Sequence, residues 1–178
     1  MRYQHVMATD TNTSLRHGIL SDELSDARTQ LIEMLTKAYW MEIETVMSYI
    51  ANSINPEGVR AQEIIESLDQ DIQEELGHAR QFGSRIKELY GVVPGSLDFS
   101  AEQSYLQPPD DQIDIVHVIK GVIEAESGAI EYYNQIIEFC EGRDPVTQDM
   151  VITILRDEEG HRRLFEGFLR EYKSEGLA

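Results

Sequence analysis

The sequence predicts an all-α protein: one bundle of four long helices, built as two hairpins joined by a single long crossover. Three observations predict it. Residues 25 to 53 contain neither Pro nor Gly and are rich in Leu, Ile, Met and Ala, as a long helix requires. Asn55-Pro56 and Asp144-Pro145 each set a capping side chain before a proline, the pairing that opens a helix. Only one linking segment, GVVPGSLDFSAEQSYLQPPDD at residues 91 to 111, is long, and a crossover along a bundle needs one such link.

The elements follow in order. Residues 1 to 20 are polar, carry no hydrophobic period, and read as a flexible or loosely docked arm before a bundle domain at 21 to 178. The first helix spans 25 to 53. Asn55 and Pro56 are expected to start the second, which runs to about Tyr90, before Gly91. The stretch IDIVHVIKGVIEAESGAIEYYNQIIEFCEG reads as the third helix, closed by Gly142, and Asp144-Pro145 opens a fourth that reaches Tyr172. Helices of about 25 to 30 residues are roughly 40 Å long, a bundle length. Strand patterning is confined to the apolar residues 91 to 94, too short to matter.

The net charge of −18 argues against nucleic acid as a partner, because neutralising phosphates takes clustered Lys and Arg. It suits a soluble surface and a field that concentrates cations. The sequence contains no apolar run long enough to span a membrane and no signal-peptide block, so a cytoplasmic location is expected. Cys140, the single cysteine, reads as a small core residue near a helix end.

Chemistry enters with ILRDEEGH, in which Glu158 and His161 are three apart. A lone Glu-x-x-His is a weak signal, but it recurs at Glu75-Leu76-Gly77-His78. In the third helix, Ile115, Ile119, Val122, Ala129, Tyr133, Ile136 and Cys140 form an apolar stripe, and the position it lacks is occupied by Glu126. Glu124 shares the opposite face with Lys120, Glu131 and Glu138. In the first helix Glu42 interrupts Leu31, Leu35, Ala38, Val46 and Tyr49, with Glu44 competing because that helix is apolar nearly all round. Spacing separates them. Glu42 precedes Tyr49 by 7 and Glu75 by 33, while Glu126 precedes Tyr133 by 7 and Glu158 by 32. Each half thus reads Glu, Tyr, then Glu-x-x-His one helix later, a diverged repeat of two hairpins.

Glu and His three apart lie on one helix face, so the four helices present four carboxylates and two imidazoles to one core layer. Four buried like charges would cost several kcal/mol each or would protonate. Two divalent cations cancel four carboxylates in formal charge, and oxygen ligands with one His per ion suit iron or manganese better than structural zinc.

With these residues in place, the sequence resembles the ferritin-like di-iron carboxylate proteins, and IEAESGAIEYY, GRDPVTQDM and ILRDEEGH are similar to bacterioferritin and the Dps-like ferritins. The resemblance covers about residues 25 to 172. It implies a ferritin-like bundle, assembled as a hollow homo-oligomer, that acts as a ferroxidase. Such a protein oxidises Fe(II) with O2 or H2O2 at two iron ions per chain, with manganese or zinc as alternatives, and stores Fe(III). It implies Glu42 and Glu126 as terminal ligands, Glu75 and Glu158 as bridges, His78 and His161 as nitrogen ligands, and Tyr49 and Tyr133 beside the centre.

There are departures. Leu76 stands where bacterioferritin has its haem-ligating Met, so no haem is expected. The sequence reaches Ala178 soon after the fourth helix, without the fifth helix of 24-subunit cages, which favours a 12-subunit shell. AEQS and ESGA stand where Dps-like ferritins often carry a cysteine pair. The alternative is a di-iron or di-manganese peroxidase or catalase without storage. A single cysteine excludes the Cys-x-x-Cys domain of rubrerythrin, and manganese catalases are longer. A third reading is a metal-stabilised structural bundle.

Overall fold

The computed structural model describes residues 18–178. Most of the expected arm, residues 1–17, lies outside the described residues. Gly18–Leu20 forms a 3-10 turn whose Ile19 is buried, and Arg28 holds it by donating from Nη1 to the carbonyls of Ile19 and Ser21 at 3.0 Å each. Four helices follow: α1 (Ser25–Ile54), α2 (Gln62–Glu88), α3 (Ile115–Cys140) and α4 (Pro145–Ser174). Among the described residues there is no strand, and no helix is long and apolar enough to cross a membrane.

The buried apolar side chains form two clusters, one toward each end of the bundle. The first joins Leu31, Leu35 and Ala38 of α1 to Phe82 and Ile86 of α2, Tyr133, Ile136 and Cys140 of α3, and Val151 and Ile154 of α4. The second joins Tyr49 of α1 to Ile64 and Leu68 of α2, Ile119 and Val122 of α3, and Phe165 of α4. The start of α1 therefore meets the ends of α2 and α3 and the start of α4. Helices α1 and α4 run one way and α2 and α3 the other, which is why residues 89–114 must carry the chain back along the bundle. The four glutamates of the two repeats lie between the clusters.

Helix ends follow the sequence in part. Asp144 caps α4, accepting from the N–H groups of Val146 and Thr147 at 3.2 Å each, with Pro145 in the first turn. Arg85 of α2 donates through Nη2 to both Asp144 oxygens at 3.0 and 2.9 Å and through Nε to Thr147 Oγ1 at 2.8 Å, pinning one hairpin to the other. Gly142, at φ 67°, follows α3 as expected.

Asn55-Pro56, however, closes α1 and does not open the second helix. The Asn55 N–H completes α1 on the Ala51 carbonyl at 3.0 Å, and Pro56 has no N–H with which to continue. The next residues are held elsewhere. Glu57 N–H donates to the Gln112 carbonyl at 2.9 Å, Gly58 turns at φ 100°, and α2 starts only at Gln62, without a side-chain cap. At the other end of α2, Tyr90 and not Gly91 takes the left-handed conformation, at φ 70°. Gly91 is needed for close approach: its N–H reaches the Ile86 carbonyl at 2.9 Å, and a Cβ would lie 2.8 Å from Ile86 Cγ2.

The crossover, with 3-10 turns at Ser96–Asp98 and Ser104–Leu106, lies on α1 and α3. Glu44 of α1 accepts the N–H groups of Glu102 at 2.9 Å and Gln103 at 2.7 Å, and Asn52 Nδ2 donates to the Leu106 carbonyl at 2.8 Å. On α3, Gly121 lets the crossover backbone come close, since a Cβ there would sit 2.8 Å from the Tyr105 carbonyl oxygen.

Candidate metal centre

Each helix contributes one buried glutamate to the layer between the clusters: Glu42, Glu75, Glu126 and Glu158 are 2%, 1%, 2% and 1% exposed. His78 and His161, also buried, sit one turn beyond Glu75 and Glu158. Their ligand atoms form two groups, each within 4.8 Å of one another: Glu42, Glu75, His78 and Glu158 in one, and Glu75, Glu126, Glu158 and His161 in the other. Glu75 and Glu158 belong to both.

The two shared carboxylates divide their oxygens between the imidazoles. His78 Nδ1 lies 3.4 Å from Glu75 Oε2 and 3.1 Å from Glu158 Oε1, while His161 Nδ1 lies 3.3 Å from Glu75 Oε1 and 3.5 Å from Glu158 Oε2. Glu42 Oε1 completes the first group, 3.9 Å from His78, and Glu126 Oε1 the second, 4.0 Å from His161. These approaches lack hydrogen-bond alignment. Both oxygens of Glu75, Oε1 of Glu158 and Nδ1 of both histidines are buried without a hydrogen-bond partner. Buried polar atoms are rarely left so, and a cluster of orphaned oxygen and nitrogen donors converging on two points fits a pair of hard or borderline divalent cations.

The electrostatics agree. Burial, reinforced by the Glu75 and Glu158 charges, pushes the carboxyls of Glu42 and Glu126 well above the ordinary range. Burial works the same way on Glu75, but the neighbouring His161 and His78 outweigh it and bring Glu75 down to about 2. Burial would lower the imidazoles, yet Glu158 and Glu75 raise His78 to about 10 and His161 to about 12. Without cations, therefore, protons compensate the carboxylates.

The tyrosines cross between the repeats. Tyr49 of α1 donates to Glu126 Oε1 of α3 at 2.5 Å, and Tyr133 of α3 donates to Glu42 Oε1 of α1. The far sides of the imidazoles cross likewise. His161 Nε2 is 3.0 Å from Glu74 Oε2 and 3.6 Å from Asp71 Oδ1, and His78 Nε2 is 3.6 Å from Asp157 Oδ2. Such partners orient a ligating imidazole. The sequence reading missed these three acids, although a signal was present: Glu74 and Asp157 each directly precede the glutamate of a Glu-x-x-His and serve the histidine of the other repeat. Glu44 is outside both groups and holds the crossover, and Glu124 is exposed.

The family profile of the ferritin-like domain matches residues 32–174. A DNA protection during starvation protein of Pyrococcus furiosus is 30% identical over 145 residues, 79% of this chain and 77% of that protein. A bacterioferritin of Desulfovibrio desulfuricans is 25% identical over 152 residues, 85% of this chain and 80% of that one. Among solved structures, a dodecameric thioferritin, the bacterioferritin-related protein of Bacteroides fragilis, has a TM-score of 0.73 at 22% identity, covering 88% of this chain and 97% of that one. The profile match over most of the chain, on a bundle of the same architecture, places the protein in the ferritin-like domain family.

Proposed function

We propose that the protein is a ferroxidase that stores or detoxifies iron, with Fe(II) as substrate bound by Glu42, Glu75, His78, Glu126, Glu158 and His161. One observation carries the reading: Glu75 and Glu158 each face both imidazoles with buried oxygens, as bridges between two cations must. Two Fe(II) supply one electron each. O2 with two protons then becomes H2O2, or H2O2 with two protons becomes two waters. Tyr49 and Tyr133 hold the terminal carboxylates by hydrogen bonds, while Asp71, Glu74 and Asp157 hold the imidazoles with Nδ1 inward. The two buried apolar clusters keep bulk water from both ends of the layer.

A closed homo-oligomer, with 12 subunits as the working number, supplies the cavity for Fe(III). Met47, Ile50 and Ile54 step by three and four along α1 and are 47%, 43% and 73% exposed, an apolar stripe suited to subunit contact. The D. desulfuricans and P. furiosus relatives are named for ferritin function and for DNA protection. With a net charge of −18, this chain would protect DNA by removing Fe(II) and oxidant, without binding the duplex. The test joins native mass to iron loading. A large assembly that binds two Fe(II) per chain without oxygen and accumulates ferric mineral on oxidation supports the reading. A stable monomer or dimer that turns over peroxide and retains no iron refutes storage.

A further inference from the structure

We propose that Asp71 is a positioning residue that makes the two metal positions unequal, so that the position of Glu126 and His161 takes a divalent cation before the position of Glu42 and His78. The inference rests on the two-cation reading of the centre and adds an order of filling. It does not depend on oxidation.

The two repeats match at every ligand, and they match again one residue before each shared glutamate. There Glu74 of α2 stands behind His161, and Asp157 of α4 stands behind His78. Four residues before the same glutamates they part: α2 carries Asp71 and α4 carries Ile154. Four residues are about one turn, so each of these side chains shares a face with its glutamate. Ile154 is fully buried in the first apolar cluster. Asp71 is only 4% exposed and sets Oδ1 3.6 Å from His161 Nε2.

The backs of the two imidazoles therefore differ in charge. His161 Nε2 faces two carboxylates, Glu74 Oε2 at 3.0 Å and the buried Asp71. His78 Nε2 faces Asp157 alone, at 3.6 Å, and that carboxylate is 34% exposed and shared with Arg156 Nη2 at 3.4 Å. Solvent and Arg156 screen Asp157, whereas Asp71 acts through the protein interior, across one ring from a cation on Nδ1. The other oxygen of Asp71, Oδ2, is buried without a hydrogen-bond partner. A buried carboxylate left in that state costs stability, which a divalent cation on the far side of His161 offsets. A carboxylate behind a ligating imidazole also strengthens it as a donor. Both effects favour the same position, and the isoleucine at 154 supplies neither to the other.

The test is anaerobic titration of the full-chain assembly with Co(II) at pH 7.5, followed by calorimetry and by the visible bands of bound Co(II). The pH lies above the value of about 6 to which burial lifts Asp71. The wild type is expected to bind two Co(II) per chain in two steps about tenfold apart in dissociation constant. Asp71→Asn, of nearly the same shape, should weaken the first step about tenfold, leave the second within about twofold, and so close the gap. Asp157→Asn should do the reverse, weakening the second step about threefold and widening the gap; being partly exposed, it serves also if Asp71→Asn fails to assemble. A merely structural role for Asp71 would weaken both steps alike, and that result overturns the inference. Equal steps in the wild type, a gap that widens in Asp71→Asn, or a gap that narrows in Asp157→Asn overturns it as well. Fewer than two Co(II) per chain in the wild type would instead refute the two-cation centre itself, an outcome distinct from two cations bound without order.

Discussion

Loading the centre with divalent cations is expected to expel about four protons per chain at pH 7, two for each cation. The count comes from the six groups of the layer. Without metal, His78 and His161 are held protonated, with values of about 10 and 12, and Glu75 is ionised, at about 2. Glu42 and Glu126 are pushed upward by burial and by the charges of Glu75 and Glu158, so they carry the remaining protons of a neutral core. Two divalent cations replace all four. The apparent affinity for each cation should therefore weaken about 100-fold for every pH unit of acidification near neutrality. In the metal-free form the groups act with opposite signs: Glu75, held at about 2, contributes stability that is present above its ordinary 4.5 and lost as pH falls through about 2. His78 and His161 are raised in the folded state, so their pairing with the carboxylates stabilises the metal-free bundle below about pH 6.5 and is lost as pH rises through about 10. The assay is anaerobic titration with Fe(II), or with redox-inert Zn(II), in weakly buffered protein on a pH-stat. Glu42→Gln, which mimics the protonated acid, should release about one proton fewer. Release of fewer than about one proton per chain by the wild type would refute the reasoning, because the metal-free carboxylates would then be compensated by something other than protons.

Three further outcomes are expected. Glu126→Ala should abolish rapid Fe(II) oxidation, whereas Glu124→Ala, rotated by about 200° on the helix, should stay within about twofold of wild type in the same stopped-flow assay. Glu44→Ala should keep two metals per chain but lower stability by about 2 kcal/mol in chemical denaturation, because the N–H groups of Glu102 and Gln103 lose a charged acceptor; loss of metal binding would instead return Glu44 to the centre. Arg85→Ala should cost about 3 kcal/mol or more by leaving the Asp144 carboxylate buried without its charge partner, and Arg85→Ala with Asp144→Ala together should cost less than the sum of the two single changes.

Local sequence was enough for the number and order of the four helices and for the inward face each glutamate of the two repeats occupies. A regular helix converts position into direction, so a carboxylate in an apolar stripe must point inward, and a repeat with matched spacings must bring its copies to one level. Periodicity has no power over what lies opposite. Tyr49 lies about two turns from Glu42 on the same helix, too far to reach it, and only the packing of α1 against α3 showed that it bonds Glu126 while Tyr133 bonds Glu42. Glu74, Asp71 and Asp157 were not singled out by the sequence, and the packing of α2 against α4 sets them behind the histidines. Glu44 competed with Glu42, and Asn55-Pro56 was misread as a helix start, for one reason: their partners, Gln103 in one case and the tie from Glu57 to Gln112 in the other, belong to a crossover distant in sequence. A carboxylate facing inward is identical in sequence whether it meets a metal or a backbone N–H. Long-range packing decides which it meets.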